Sequence, residues 1–364
     1  MEKLSLRHRF ALELDKFNQD RLIKLHPLRQ LFWECTLRCN LHCRHCGSDC
    51  RTDCSTTDMP LKEFLRVLDD IASCQNPNDV FIIVSGGEPL LRDDLEECGR
   101  EFYRRGFPWG MVSNGLALST NRLQALIASG LRSVTISLDG FEKEHNWMRG
   151  NVNSFRCASE AIRVINDSSV VNDVVTCVNQ RNINDLQQFK EYLSGLGVTR
   201  WRLFTVFPSG RAVGDDDLQL TSSQLHHLLN FIKTSRAEGT MDVSYSCDSF
   251  LGNYEGEVRD HFFSCQSGIT VGSVRCNGDI GGCLSIRSDY SQGNIYTDSF
   301  MDVWNKRFLP YRNSEWKRTA ECSECKMFRY CRGDGMHLRD SEGRLLSCNY
   351  NKLYRQDKSV EFIE

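Results

Sequence analysis

From residue 30 to about 237, short apolar runs alternate with longer segments whose apolar residues recur every three or four positions. The runs fall at 31–35, 80–84, 109–112, 134–138, 174–178 and 201–206. Each is rich in β-branched or aromatic residues and short enough for a buried strand. Between them, Leu61, Phe64, Leu65, Leu68, Ile71 and Ala72 draw one helical face, with Pro60 placed for its first turn. Leu123, Leu126 and Ile127 draw another. Leu186, Phe189, Tyr192 and Leu193 make a third, and Leu225, Leu228, Leu229 and Ile232 a fourth. Six such units predict parallel strands joined by right-handed crossovers. Six is short of a closed eight-unit barrel. The expected fold class is α/β: a partial (β/α)6 TIM-like barrel over 30–237, with its chemistry at the C-terminal strand ends.

The periodicity changes at about 238. Gly, Ser, Asp and Asn become frequent, and Asn277-Gly278 lies between β-prone segments, a hairpin signal. A small cysteine-rich α+β domain is expected over 238–350. Residues 1–29 are expected to form a helical extension and 351–364 a tail. Asp215-Asp216-Asp217 reads as a solvated loop.

Composition narrows the class. Length alone, 364 residues, fits about two domains at roughly 150 residues each. Apolar residues are 40% and charged residues 26%, ordinary for a globular chain. With 45 Lys and Arg against 48 Asp and Glu, the net charge of −3 points to neither nucleic acid nor an anionic membrane as partner. No apolar run approaches a spanning helix, and residues 1–19 lack a secretory core. A cytoplasmic location is expected.

The abnormal count is 18 cysteines. In a reducing compartment, grouped cysteines more often hold metal than pair as disulfides. One group reads Cys39-Asn40-Leu41-His42-Cys43-Arg44-His45-Cys46. Soft thiolates select zinc, copper(I) or iron–sulfur clusters. Structural zinc and cubane clusters both want four ligands. Three leave a metal with an open position, and open positions do chemistry. A zinc loop completed by Cys35, Cys50, Cys54, His42 or His45 is the alternative.

This CxxxCxxC loop after a first barrel strand, followed by Gly86-Gly87-Glu88-Pro89 after the second, resembles the radical S-adenosylmethionine (SAM) superfamily. The resemblance implies that Cys39, Cys43 and Cys46 hold a [4Fe–4S] cluster whose free iron chelates SAM. Reductive cleavage of SAM then yields a 5′-deoxyadenosyl radical that abstracts hydrogen from a substrate. His45 stands where the family places an aromatic adenine contact. Gly86, Gly87, Glu88 and Pro89 correspond to the segment that binds the methionine ammonium. Ser113-Asn114 and Ser137 with Asp139 end the next strands, where hydroxyls and amides can grip ribose or carboxylate. Arg149 resembles the arginine that pairs with the SAM carboxylate, which suits a planar guanidinium. Asn179 ends the fifth strand as a weaker candidate. Turn and cap chemistry is the plain alternative for these polar ends.

Downstream, Cys265-x12-Gly278-x4-Cys283 and Cys322-x2-Cys325-x5-Cys331, with Cys348 beyond, resemble a SPASM domain. The pattern's last clustered cysteine falls on Gly335. By resemblance, Cys322, Cys325, Cys331 and Cys348 hold one auxiliary [4Fe–4S] cluster. Cys265 and Cys283 would belong to a second, with Cys247 favoured over Cys276 to join them as a three-cysteine site; both together would make four. A zinc ribbon on the first set is the alternative. Cys35, Cys50 and Cys54 read as bystanders.

SPASM enzymes most often act on peptides or proteins, so the resemblance makes a radical SAM oxidoreductase that crosslinks, oxidises or epimerises a peptide the leading expectation. A sulfatase-maturase-like enzyme or a cofactor-biosynthetic oxidoreductase is the alternative, and a non-catalytic zinc protein the other class. A flavodoxin or ferredoxin would supply electrons. About 30 residues precede the first strand, too few for a leader-binding domain.

Overall fold

A computed structural model describes residues 4–246 and 249–354. Helix α1 (Leu6–Leu25) precedes the first strand. The strands then run β1 (Gln30–Thr36), β2 (Phe81–Gly86), β3 (Trp109–Ser113), β4 (Leu131–Ser137), β5 (Val171–Val178), β6 (Arg200–Thr205) and β7 (Asp242–Tyr245). Crossovers are α2 (Leu61–Cys74), α3 (Leu95–Arg104), α4 (Thr120–Ala128), the pair α5 (Glu142–Arg149) and α6 (Ser154–Asn166), α7 (Leu186–Gly195) and α8 (Ser222–Glu238). All seven strands are parallel and ordered as in sequence. The expected partial barrel is present. The parallel sheet extends past residue 237 by one short strand, β7, too brief to stand out as an apolar run.

The cysteine-rich region continues the same sheet. Strand β8 (Val271–Val274) pairs in parallel with the free edge of β1, and β9 (Asp279–Gly281) and β10 (Gly293–Asn294) follow antiparallel. The β8–β9 hairpin turns through Asn277-Gly278, as the dipeptide predicts. β1 is therefore an interior strand, and β8 rather than β7 fills its second edge. Helices α9 (Phe300–Lys306), α10 (Leu309–Arg312), α11 (Phe328–Cys331) and α12 (Asn349–Tyr354) complete the fold.

The strands pack their helix-facing side tightly. Trp33 stacks on Phe64 at 4.4 Å, and Phe102 meets both Trp33 and Trp109 edge-on. Trp201 meets Phe189 and Phe231 in the same way. The other face is half-open: in β4–β6 the alternate positions Ser133, Thr135, Asp173, Cys177 and Arg202 are only partly buried. That face explains why β4 and β5 begin about three residues before the apolar runs. Polar lumen residues interrupt the hydrophobic pattern, and Thr135 Oγ1 donates to Asp173 at 2.6 Å while Arg202 pairs with the same carboxylate.

Trp33 lies fully buried at the centre of this aromatic layer. Trp33→Ala is expected to destabilise the fold by about 3–5 kcal/mol, the usual cost of a large aromatic truncation, read by urea denaturation.

Candidate active site

The cysteine loop leaves β1 at the C-terminal edge of the sheet. Its root is fixed by backbone: Gly87 N–H donates to Thr36 O at 2.8 Å and Glu88 N–H to Arg38 O at 2.9 Å. A Cβ at Gly87 would lie 2.0 Å from Arg38 O. The glycines of the GGEP segment are thus required by the approach of two backbones of the chain itself. The bidentate Arg38–Asp58 pair and Thr36 Oγ1, which donates to Asp58 at 2.5 Å, lock the same corner.

Within the loop, Cys39, Leu41, Cys43 and Cys50 are buried together, with Cys46 packed against them. The surrounding donors point toward sulfur. Asn114 Nδ2 lies 4.0 Å from Cys39 Sγ and donates to Asn40 at 2.7 Å. Arg149 Nη1 lies 3.8 Å from Cys43 Sγ. The Cys50 thiol donates to Cys46, which holds Cys46 well below the usual thiol range and pushes Cys50 up. Burial raises Cys39 to about 11, and raises Cys43 against the opposing pull of Arg149. Buried thiols of this kind shed their protons only when a cation arrives.

Asp139 and Arg149, separate SAM contacts in the sequence reading, bond to each other: Arg149 Nε donates to Asp139 Oδ2 at 2.6 Å. Cys177 N–H donates to the other oxygen at 2.9 Å. Burial alone would push Asp139 up, yet Arg149 and the neighbouring histidines hold it down at about 2. Glu88 is similarly engaged. It accepts from Ser113 Oγ and Asn114 N–H at 2.8 Å and from Leu90 N–H at 3.1 Å, while burial raises its pKa. Pro89 opens a short 3-10 turn behind it. Ser137 ends β4 half-buried, and Asn179 caps its own turn by accepting from Arg181 N–H.

His45 carries a further signature. Its Nδ1 is buried without a hydrogen-bond partner, and burial, then Arg149, lowers its pKa to about 4. A neutral imidazole with an orphaned nitrogen beside three thiols fits a polar cofactor. Among the described residues, no three His, Cys, Asp or Glu side chains converge as they would on a single ion. Cys35 lies in the helix-side core, and Cys54 is only partly buried. Cys50, expected as a bystander, touches Cys46 instead.

Two contributors carry no local motif. Arg211, beyond β6, donates to Cys43 O at 2.8 Å and pairs with Asp49 at 2.9 Å. His145 accepts from Asp139 N–H at 2.9 Å and meets Ser154 Oγ at the same distance. Only the curvature of the sheet brings residue 211 to residue 43.

In the second cysteine region, Cys322, Cys325, Cys331 and Cys348 line one cavity with Phe250, Phe328 and Tyr350. Burial raises Cys348 to about 12 and Cys331 well up, and Arg339 lies 3.6 Å from Cys322 Sγ. Gly335, where the pattern lacks its cysteine, packs on His337: a Cβ there would meet the ring at 2.6 Å. Cys265 and Cys283 pack against the main core as neighbours. Cys247 lies outside the described residues. Cys276 is turned elsewhere, its thiol donating to Thr57 O at 3.3 Å.

Residues 33–193 match the radical SAM superfamily, and residues 265–326 match SPASM, an iron–sulfur cluster-binding domain. The chain carries a radical SAM domain followed by a SPASM domain. The AdoMet-dependent heme synthase of Nitratidesulfovibrio vulgaris is 24% identical over 83% of this chain and 85% of its own. The mycofactocin maturase MftC of Mycolicibacterium smegmatis is 27% identical over 84% and 77%. The structure of anSMEcpe with bound AdoMet superposes with a TM-score of 0.70 at 20% identity, covering 89% of this chain and 94% of that one. The fold is thus that of the radical SAM enzymes, whose cofactors are an iron–sulfur cluster and SAM. No helix among the described residues is long and apolar enough to cross a membrane.

Arg211 ties the far end of the barrel to the cysteine loop. Arg211→Ala removes charge-assisted bonds worth about 1.5–3 kcal/mol in total. Iron retained after anaerobic desalting is expected to fall roughly ten-fold or more, in line with that energy.

Proposed function

We propose that Cys39, Cys43 and Cys46 hold a SAM-binding [4Fe–4S] cluster and that the enzyme oxidises a peptide or protein substrate. The carrying observation is the three-thiol loop at the barrel mouth, with Asn114 and Arg149 aimed at its sulfurs. Bound there, cluster and SAM supply a one-electron cleavage that leaves a carbon radical able to take a hydrogen atom from substrate.

The chain's own residues do the rest. Asn114 and Arg149 offset negative charge on Cys39 and Cys43. Asp139, fixed by Cys177 N–H and by Asn182, which holds its carbonyl, orients Arg149. Glu88 fixes the ends of β2 and β3 to one another. His45 Nδ1 is free to accept a hydrogen bond from the cofactor. Cys322, Cys325, Cys331 and Cys348 form an auxiliary cluster site in a cavity with an apolar wall. Cys265 and Cys283 are the residues proposed for a second, with Cys247, which lies outside the described residues, as the favoured third ligand. An auxiliary cluster held by these cysteines would supply an acceptor for the electron left on the substrate, and a flavodoxin or ferredoxin would be the electron donor. The MftC relative, a maturase, supports the peptide reading.

A second reading has its own support. Heme synthases match over most of the chain, and the lumen face of β4–β6 is polar and only partly buried, as a small polar substrate would require. Reaction with candidate peptides under reductant and SAM, followed by mass spectrometry, separates the two. Loss of two hydrogens, or a one-dalton gain in deuterated water, supports the peptide. Turnover confined to tetrapyrrole carboxylates contradicts it.

Cys43→Ala is expected to abolish 5′-deoxyadenosine formation. Cys325→Ala is expected to retain part of that cleavage and lose product, with both read by chromatography of one reaction.

A further inference from the structure

Helix α1 is built inside out. It turns Leu6, Phe10, Leu14, Phe17 and Leu25 to solvent, each between 58% and 82% exposed. Of its large apolar side chains it buries only Leu12. The helix is held to the body by Leu12, packed in a cluster with Phe250, Phe263 and Tyr350, and by polar pairs. Glu13 takes Arg329 and Tyr330, Asp20 takes Arg332, and Gln19 takes Gln266.

The five exposed residues are spaced 4, 4, 3 and 8 apart. At 100° per residue they fall within one sector about 100° wide, about 29 Å long at 1.5 Å rise. Arg7 and Lys24 flank opposite margins, and Arg21 sits inside the stripe between Phe17 and Leu25. All three are exposed and carry no ion pair among the described residues. The helix's carboxylates are committed elsewhere, Asp15 to Gln19 and the others as above. The exposed face is therefore apolar and purely cationic, a local feature that the whole-chain charge of −3 conceals.

We propose that this face docks the enzyme on an anionic phospholipid surface, lying in the plane of the interface. Charge decides the occupant. A second copy would set the same cations against one another. A closed protein groove would bury Arg21 in the middle of an apolar contact, which costs heavily without a partner carboxylate. At a lipid interface, leucine and phenylalanine sink to the acyl boundary while arginine and lysine stems reach back to phosphate. The juxtamembrane field of anionic lipid attracts each such cation. The helix lies on the surface and does not cross it.

Flotation of the full-length holoenzyme tests this, with phosphatidylcholine vesicles and with vesicles containing phosphatidylglycerol. The protein is expected to float with the anionic vesicles and to be released by salt. The double variant Phe10→Ser/Phe17→Ser is expected to bind at least roughly ten-fold more weakly, from the apolar area lost. Arg7→Glu/Arg21→Glu/Lys24→Glu is expected to remove the preference for anionic vesicles. Both leave the barrel untouched, so unchanged SAM cleavage verifies their folding. Three results would overturn the proposal: no vesicle binding by the wild type, binding undiminished in the double variant, or a solution dimer that the double variant dissociates.

Discussion

Three thiols on an eight-residue loop are a problem of charge. Ligating iron requires them to ionise, and burial raises the pKa of Cys39 and Cys43. The structure answers with Arg149, a buried guanidinium held between the Asp139 carboxylate and Cys43. Asp139 keeps the arginine charged and pointed, and the arginine keeps the carboxylate ionised. Removing either would strand the other as an uncompensated buried charge. The rest of the mouth serves that pair. His145 and Cys177 hold Asp139 through backbone bonds, and Asn182 carries its carbonyl.

The second constraint is attachment. The loop must stay over the lumen, and it is pinned from both ends of the barrel. Gly87 lets β2 close on the root of the loop, and Arg211 reaches it from beyond β6. The SPASM region braces the same strand from the other side, through β8 and the Arg287–Glu34 ion pair at 2.8 Å. The cysteine loop after β1 and the segments carrying Cys265 and Cys283 beside β8 and β9 are therefore attached to one continuous sheet.

Much of this was legible along the chain. Apolar runs marked six of the seven barrel strands because their helix-facing sides carry Trp33, Trp109 and Trp201. Asn277-Gly278 marked the hairpin because its turn needs a positive φ, 89° at Gly278. The three cysteines and GGEP are local motifs and read directly. Side-chain pairings were not legible: Cys50 with Cys46 and Arg149 with Asp139 depend on how a connection folds back on itself, and Arg211 with Cys43 on where curvature brings distant strand ends together. The bonds that Glu88 accepts from Ser113 Oγ and Asn114 N–H were likewise not legible in the sequence. The exposed stripe on α1 was hidden because apolar periodicity alone cannot say which face meets the core.

Electron paramagnetic resonance of the reduced, anaerobically reconstituted protein, recorded before and after adding SAM, tests the central claim most directly. A site-differentiated cluster on Cys39, Cys43 and Cys46 is expected to give a signal that shifts when SAM binds its open iron, and that is missing in Cys43→Ala. A signal indifferent to SAM, or a diamagnetic protein carrying stoichiometric zinc, would contradict the account.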